Sequence, residues 1–131
     1  MTENKAVHVW PGLSYRDAPA AIRFLTEAFG FVSTLTVPGD VEGAVVHAEL
    51  RWPEGGGVML GTAGAGALKE HLAGQGSVYI VTSEPDALYE RAVAAGGVVV
   101  RELGDTDYGS RDFIVRDPEG VYWCFGTYAG E

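Results

Sequence analysis

Cysteine is all but missing from this sequence: Cys124 is the only one in 131 residues. A single thiol excludes an intrachain disulfide and a cysteine-rich zinc site, and it agrees with a reducing compartment. Positive charge is scarce as well, with 9 Lys and Arg against 18 Asp and Glu and a formal net charge of -9. That balance argues against nucleic acid as a partner, because phosphates need a basic footprint, and favours neutral or cationic small molecules. Long apolar runs are lacking too. None approaches the roughly 20 residues that cross a bilayer, and the opening MTENKAVHVW is polar and soon meets Pro11. Neither a membrane partner nor a secretory leader is expected, and the expected location is the cytoplasm. Several chemistry-bearing motifs are absent. There is no phosphate-cradling G-x-x-x-x-G-K and no G-x-S-x-G elbow, and GTAGAG does not stand between a long strand and a helix as a dinucleotide fingerprint does.

What is present reads as one ordinary domain, with 47% hydrophobic residues to build a core. VHVWPGLSY is a short strand that bends at Pro11 and Gly12. Asp17 is an N-cap for DAPAAIRFLTEAFGF, in which Pro19 sits in the first turn, Ile22, Leu25 and Phe29 recur at helical spacing, and Gly30 stops the run. FVSTLTV, AVVHAEL and GVMLGT follow as three strands separated by turn residues. The second half runs in the same order. SVYIVT is a strand, EPDALYERAVAAGG a helix closed by Gly96 and Gly97, and VVVREL, RDFIVR and VYWCFGTY are three more strands. Each half is β-α-β-β-β, with module one at 1–62 and module two at 76–131. Between them, 63–75 is a Gly- and Ala-rich linker with one short helical turn.

The two halves also share letters. RWPEGGGVMLGT and RDPEGVYWCFGT, beginning at Arg51 and Arg116, both read R-x-P-E-G-x-x-x-x-x-G-T, 65 places apart. Shifts of 65 to 67 places also lay Gly30 on Gly97 and Asp17 on Glu84. Helix start, helix stop, turn and final strand agree in order, which makes the chain an internal repeat with Met59 and Cys124 in equivalent places.

LSYRDAPAAIRFLTEAFGF, HAELRWPEGGGVMLGT and YGSRDFIVRDPEGVYWCFGTY together resemble the vicinal oxygen chelate superfamily, the glyoxalase, bleomycin-resistance and extradiol dioxygenase group, over nearly the whole chain. The ending R-D-P-E-G-x-x-W carries the resemblance most specifically. It implies an α+β fold in which two βαβββ modules build an incurved eight-stranded mixed sheet around a cleft, with the helices on the convex side. In the family's enzymes it further implies a divalent ion held by His, Gln or Glu from the first and last strands of each module. The matching positions here are Trp10, Met59, Ser77 and Cys124, and none is such a ligand. No metal or other cofactor is expected at them.

Strand alternation anchored on those positions points Trp10, Met59, Ser77, Tyr79, Tyr122 and Cys124 into the cleft, with His47 and Glu49 beside them. Val9, Val58, Leu60, Ile80, Trp123 and Phe125 alternate with them and are expected in the core. Trp10 supplies a flat stacking surface over which Tyr108 of the DYGS loop closes. The resemblance to the bleomycin-resistance branch implies a non-catalytic protein that sequesters an aromatic or cationic natural product for self-resistance, as a homodimer whose clefts draw on both subunits. The alternative is a lyase, isomerase or dioxygenase with a displaced metal site built from His8, His47 and Glu49. A carrier in a biosynthetic pathway would share the same cleft.

Overall fold

The computed structural model describes residues 7–64 and 70–130. Its elements run β1 (Gly12–Tyr15), α1 (Ala18–Phe24), a π-helical turn (Leu25–Phe29), β2 (Val32–Pro38), β3 (Val45–Arg51), β4 (Gly57–Thr62), β5 (Ser77–Val81), α2 (Pro85–Ala94), β6 (Val98–Asp105), β7 (Arg111–Arg116) and β8 (Tyr122–Gly126). The expected two-module α+β architecture is therefore present, its eight strands divided between two four-stranded sheets. The strand orders, β1-β4-β3-β2 and β5-β8-β7-β6, are the same order twice. In each sheet the first strand lies parallel to the last and the other pairs are antiparallel. The helical turn expected in the linker falls largely on 65–69, outside the described residues; 70–75 forms turns. No helix among the described residues is long and apolar enough to cross a membrane.

Local signals act as their chemistry demands. The Asp17 carboxylate accepts from Ala20 N at 3.1 Å and caps α1. At the far end Gly30 adopts φ 89°, which a side chain would resist, and the Phe31 amide bonds back to Leu25 O. The Arg91 guanidinium of α2 reaches across to the carbonyls of Glu27 and Thr26, placing a cation at the carbonyl end of the first module's helical segment.

One aromatic core joins the two modules. Phe29 and Phe31, which flank the end of the first helical segment, contact Trp123 of β8 at ring-centroid distances of 5.4 and 5.7 Å, and Phe29 meets Phe125 at 4.8 Å. Trp52 adds a contact to Phe125 and donates its indole N–H to Val81 O at 3.1 Å. Val58, Leu60, Ile80, Trp123 and Phe125 are buried as expected, but Val9 is not: it precedes β1 and is 82% exposed. The chain before Gly12 makes no ladder, so alternation from β1 does not extend to Val9.

The repeated R-x-P-E-G-x-x-x-x-x-G-T has a structural cause. Glu119 of the second copy accepts the backbone N–H groups of Arg16 and Asp17 at 2.8 Å each, at the start of α1 in the first module. Glu54 of the first copy accepts from Ser83 N and the Thr82 hydroxyl, just before α2 of the second module. Each hairpin thus holds the helix start of the other half. The closing threonines also repeat their work, with Thr62 Oγ1 accepting from Val45 N at 2.8 Å and Thr127 Oγ1 from Arg111 N at 3.0 Å. Both hydroxyls pin the first residue of the neighbouring strand.

Candidate functional site

Each sheet has one face packed in the core and one turned away from it, and the period-two rule assigns residues to that second face. On the first sheet Glu49 stands beside Met59 and Met59 beside Gly12, with His47 two residues along β3. On the second, Tyr79 stands beside Cys124, Cys124 beside Ile114, and Ser77 beside Tyr122. The structure so collects His47, Glu49 and Met59 on one sheet and Ser77, Tyr79, Tyr122 and Cys124 on the other. Trp10 lies before β1, two residues from Gly12, which is the residue that actually neighbours Met59.

Trp10 and Tyr108 are not partners. The Trp10 indole N–H is donated to Val7 O at 3.0 Å, and the Arg51 guanidinium lies 5.1 Å from the ring centroid. Its edge rests on Gly57, where a Cβ would come within 2.8 Å of the ring. Tyr108 sits instead in the second module, its ring 5.9 Å from that of Tyr128 at 85°, and its hydroxyl donates to Asp112 Oδ2 at 3.4 Å. The expected closure of Tyr108 over Trp10 is thereby replaced by a tyrosine group within module two. The reason is the loop itself, since the Thr106 hydroxyl accepts from Ser110 N and donates to Ser110 O, tying 106–110 to its own module.

Around that group a cavity of about 660 Å³ is lined by Tyr79, Val81, Tyr108, Tyr128, Ala129 and Gly130. The Tyr79 hydroxyl donates to Tyr128 O at 2.6 Å. It lies over Gly126, where a Cβ would stand 2.7 Å from the hydroxyl and 2.9 Å from Asp112 Cβ. Burial raises the Tyr79 phenol above its ordinary value. Burial also pushes the Cys124 thiol up, with the Asp112 carboxylate adding to the effect and Arg101 opposing it. An upward shift lowers the fraction of thiolate, the form that covalent chemistry would use. Asp112 itself is 3% exposed and receives Arg101 Nη2 at 2.9 Å. Sequence reasoning missed Asp112, Arg101, Gly126 and Tyr128. Asp112 was within reach, because aligning the RDFIVR and VYWCFGTY hairpin sets it opposite Gly126, two residues from Cys124.

A second cavity of about 510 Å³ lies where the modules meet, between Val9, Pro11 and Gly55–Gly57 on one side and Val78–Val81 on the other. A third, about 340 Å³, is lined by Arg101, Glu102, Gly104, Asp105, Thr106, Asp107, Tyr108 and Asp112.

The donor set at the closing strands and their neighbours is Met59 beside Gly12 and Cys124 beside Tyr79, with Trp10 and Ser77 two residues away. A thioether, a thiol and a phenol do not fit a hard divalent ion that takes imidazole and carboxylate. His47 Nε2 and Glu49 Oε2 touch at 2.9 Å, which uses each against the other. Among the described residues no group of three or more His, Cys, Asp or Glu side chains is gathered so as to hold a metal, and His8 does not join His47 and Glu49.

The family model for the Glyoxalase/Bleomycin resistance protein/Dioxygenase superfamily matches residues 6–125. An uncharacterized Mycobacterium tuberculosis protein, Rv0887c, is 34% identical over 95% of this chain and 78% of its own length. Mb0911c of Mycobacterium bovis is 35% identical over 92% of this chain and 86% of its own. Among solved structures, TioX from Micromonospora sp. ML1 superposes with a TM-score of 0.79 at 31% identity, covering 95% of this chain and 100% of the other. The duplicated βαβββ order and these matches together make the chain a member of the glyoxalase/bleomycin resistance protein/dioxygenase superfamily.

Proposed function

We propose that the chain binds and sequesters a small aromatic or cationic natural product without transforming it, in the manner of the bleomycin-resistance branch. The observation that carries this reading is the contrast between the two chemistries of the cleft faces. Positions where the family's enzymes hold a metal bear groups that do not fit one, while three tyrosines and a valine line an open cavity of a size typical for small-molecule sites. Tyrosines give large, stiff, amphipathic contact area, and each well-placed aromatic pair adds about 0.5–1.5 kcal/mol beyond its buried area. A homodimer belongs to the same proposal, a second copy covering exposed apolar residues such as Val32, Leu35 and Val98.

The test is chemical recovery. Protein incubated with planar aromatic antibiotics such as daunorubicin and actinomycin, then passed through a size-exclusion step, should carry one of them along and release it unaltered on denaturation. Recovery of a converted product, or turnover that appears on adding a divalent metal and disappears in His47→Ala, would establish the metal-dependent lyase, isomerase or dioxygenase reading instead.

A further inference from the structure

The tyrosine-lined cavity and the acidic cavity are neighbours with one wall in common, and Tyr108 is that wall. Its side chain is held lightly, by one ring contact and one long hydroxyl contact, and the residue is 61% exposed. A guest laid against one face of the ring can therefore reach round its open edge to the other cavity. On the apolar side the Tyr79 hydroxyl is already spent on the Tyr128 carbonyl, which leaves ring faces and Val81 for contact. A flat, weakly polar group suits that side.

The other side is negative. Four carboxylates and one guanidinium line it. Two of the carboxylates are engaged, Asp112 by Arg101 and Asp105 by Arg111. Glu102 and Asp107 are exposed and, among the described residues, make no ion pair, although the cavity opens beside them. Asp112 is a buried carboxyl group on the same face, and it adds to the upward shift of both Cys124 and Tyr79. The two halves thus ask for different chemistry from one guest.

We propose that these adjoining cavities take a single ligand, a planar aromatic ring carrying a protonated amine arm, with the ring against Tyr79, Tyr108 and Tyr128 and the arm directed past Tyr108 to Glu102 and Asp107. This rests on the sequestering reading and narrows its ligand to one class.

Calorimetric titration of the intact protein with three probes tests it: quinacrine, which has both ring and basic arm; acridone, a neutral ring; and spermidine, an arm without a ring. Quinacrine should bind at least about tenfold more tightly than either of the others, a gap of about 1.4 kcal/mol. The double variant Glu102→Gln/Asp107→Asn, confined to exposed side chains, should weaken quinacrine about threefold to tenfold and leave acridone unchanged. Tyr108→Ala should weaken quinacrine and acridone alike. Equal binding of quinacrine and acridone, or a double variant that binds quinacrine as tightly as the native protein, overturns the assignment of the arm. If acridone binding still depends on Tyr108 in that case, sequestration of aromatic compounds stands. Failure of all three probes to bind, or binding indifferent to Tyr108→Ala, overturns both.

Discussion

Tyr15 and Asp117 form the most demanding polar contact in the molecule. Both are nearly fully buried, and the phenol donates to Asp117 Oδ2 at 2.6 Å. Trp123 Nε1 donates to the same oxygen, while Oδ1 accepts from the backbone N–H groups of Glu119, Gly120 and Val121. A buried carboxylate is tolerable only when so surrounded. Burial first, then the Asp117 charge, raises the Tyr15 phenol far above its ordinary value near 10. The consequence has a definite sign. Below pH 10 the contribution of this contact is fully present; above it the unfolded chain loses the Tyr15 proton and the folded chain keeps it, so stability falls as pH rises, by up to about 1.4 kcal/mol per pH unit. Tyr15→Phe should cost about 1.5–3 kcal/mol at neutral pH through the lost hydrogen bond to a charged acceptor. Denaturant titrations at pH 7, 10 and 11 should show the gap between native and variant closing at the alkaline end. A gap that stays constant across that range would mean the phenol proton is not what the fold protects.

The hairpins show which parts of an element can be read from its letters. Glu54 and Glu119 announced themselves as turn residues in a repeated P-E-G, yet their function is to accept backbone N–H groups from the opposite module. Glu119→Gln keeps the shape but gives up the charge at a helix start, and is expected to destabilise by about 1–2 kcal/mol. Glu54→Gln, on a more exposed side chain, should cost less. Urea midpoints of the two variants check this, and equal losses would deny the difference in burial that separates the two clasps. The βαβββ order, the two helix stops and the buried members of β4, β5 and β8 were legible because period-two alternation, Asp17 and Gly30 act locally. The Tyr108 pairing was not legible, because it depends on the Thr106–Ser110 loop bonds and on Tyr128 beyond the last strand. The place of Trp10 before β1 was not legible for a related reason: the ladder begins only at Gly12, and Arg51 and Gly57, distant in sequence, lie against the indole.

For the molecule as a whole, the outward faces of the two sheets set the remaining question. The edge strands β2 and β6 leave Val32 at 52%, Leu35 at 43% and Val98 at 46% exposed, and Tyr122 of β8 is 44% exposed on the same side of its sheet as Val98. Scattered apolar side chains are ordinary on a surface, but several of them along the strand faces of one molecule are where a partner would be sought. Under the proposed homodimer a second copy of this chain would cover these residues, the two faces of one molecule meeting the two faces of another about a two-fold axis. Sedimentation equilibrium should therefore give twice the chain mass at micromolar concentration. Leu35→Glu and Val98→Glu, both at exposed positions that leave the aromatic core untouched, should each shift the population toward monomer while the far-ultraviolet spectrum is preserved. A monomer mass at every concentration would overturn the dimer. A dimer that survives both substitutions would be built on another surface, and a ligand of the kind proposed would then have to be held by the tyrosine cavity without help from a partner.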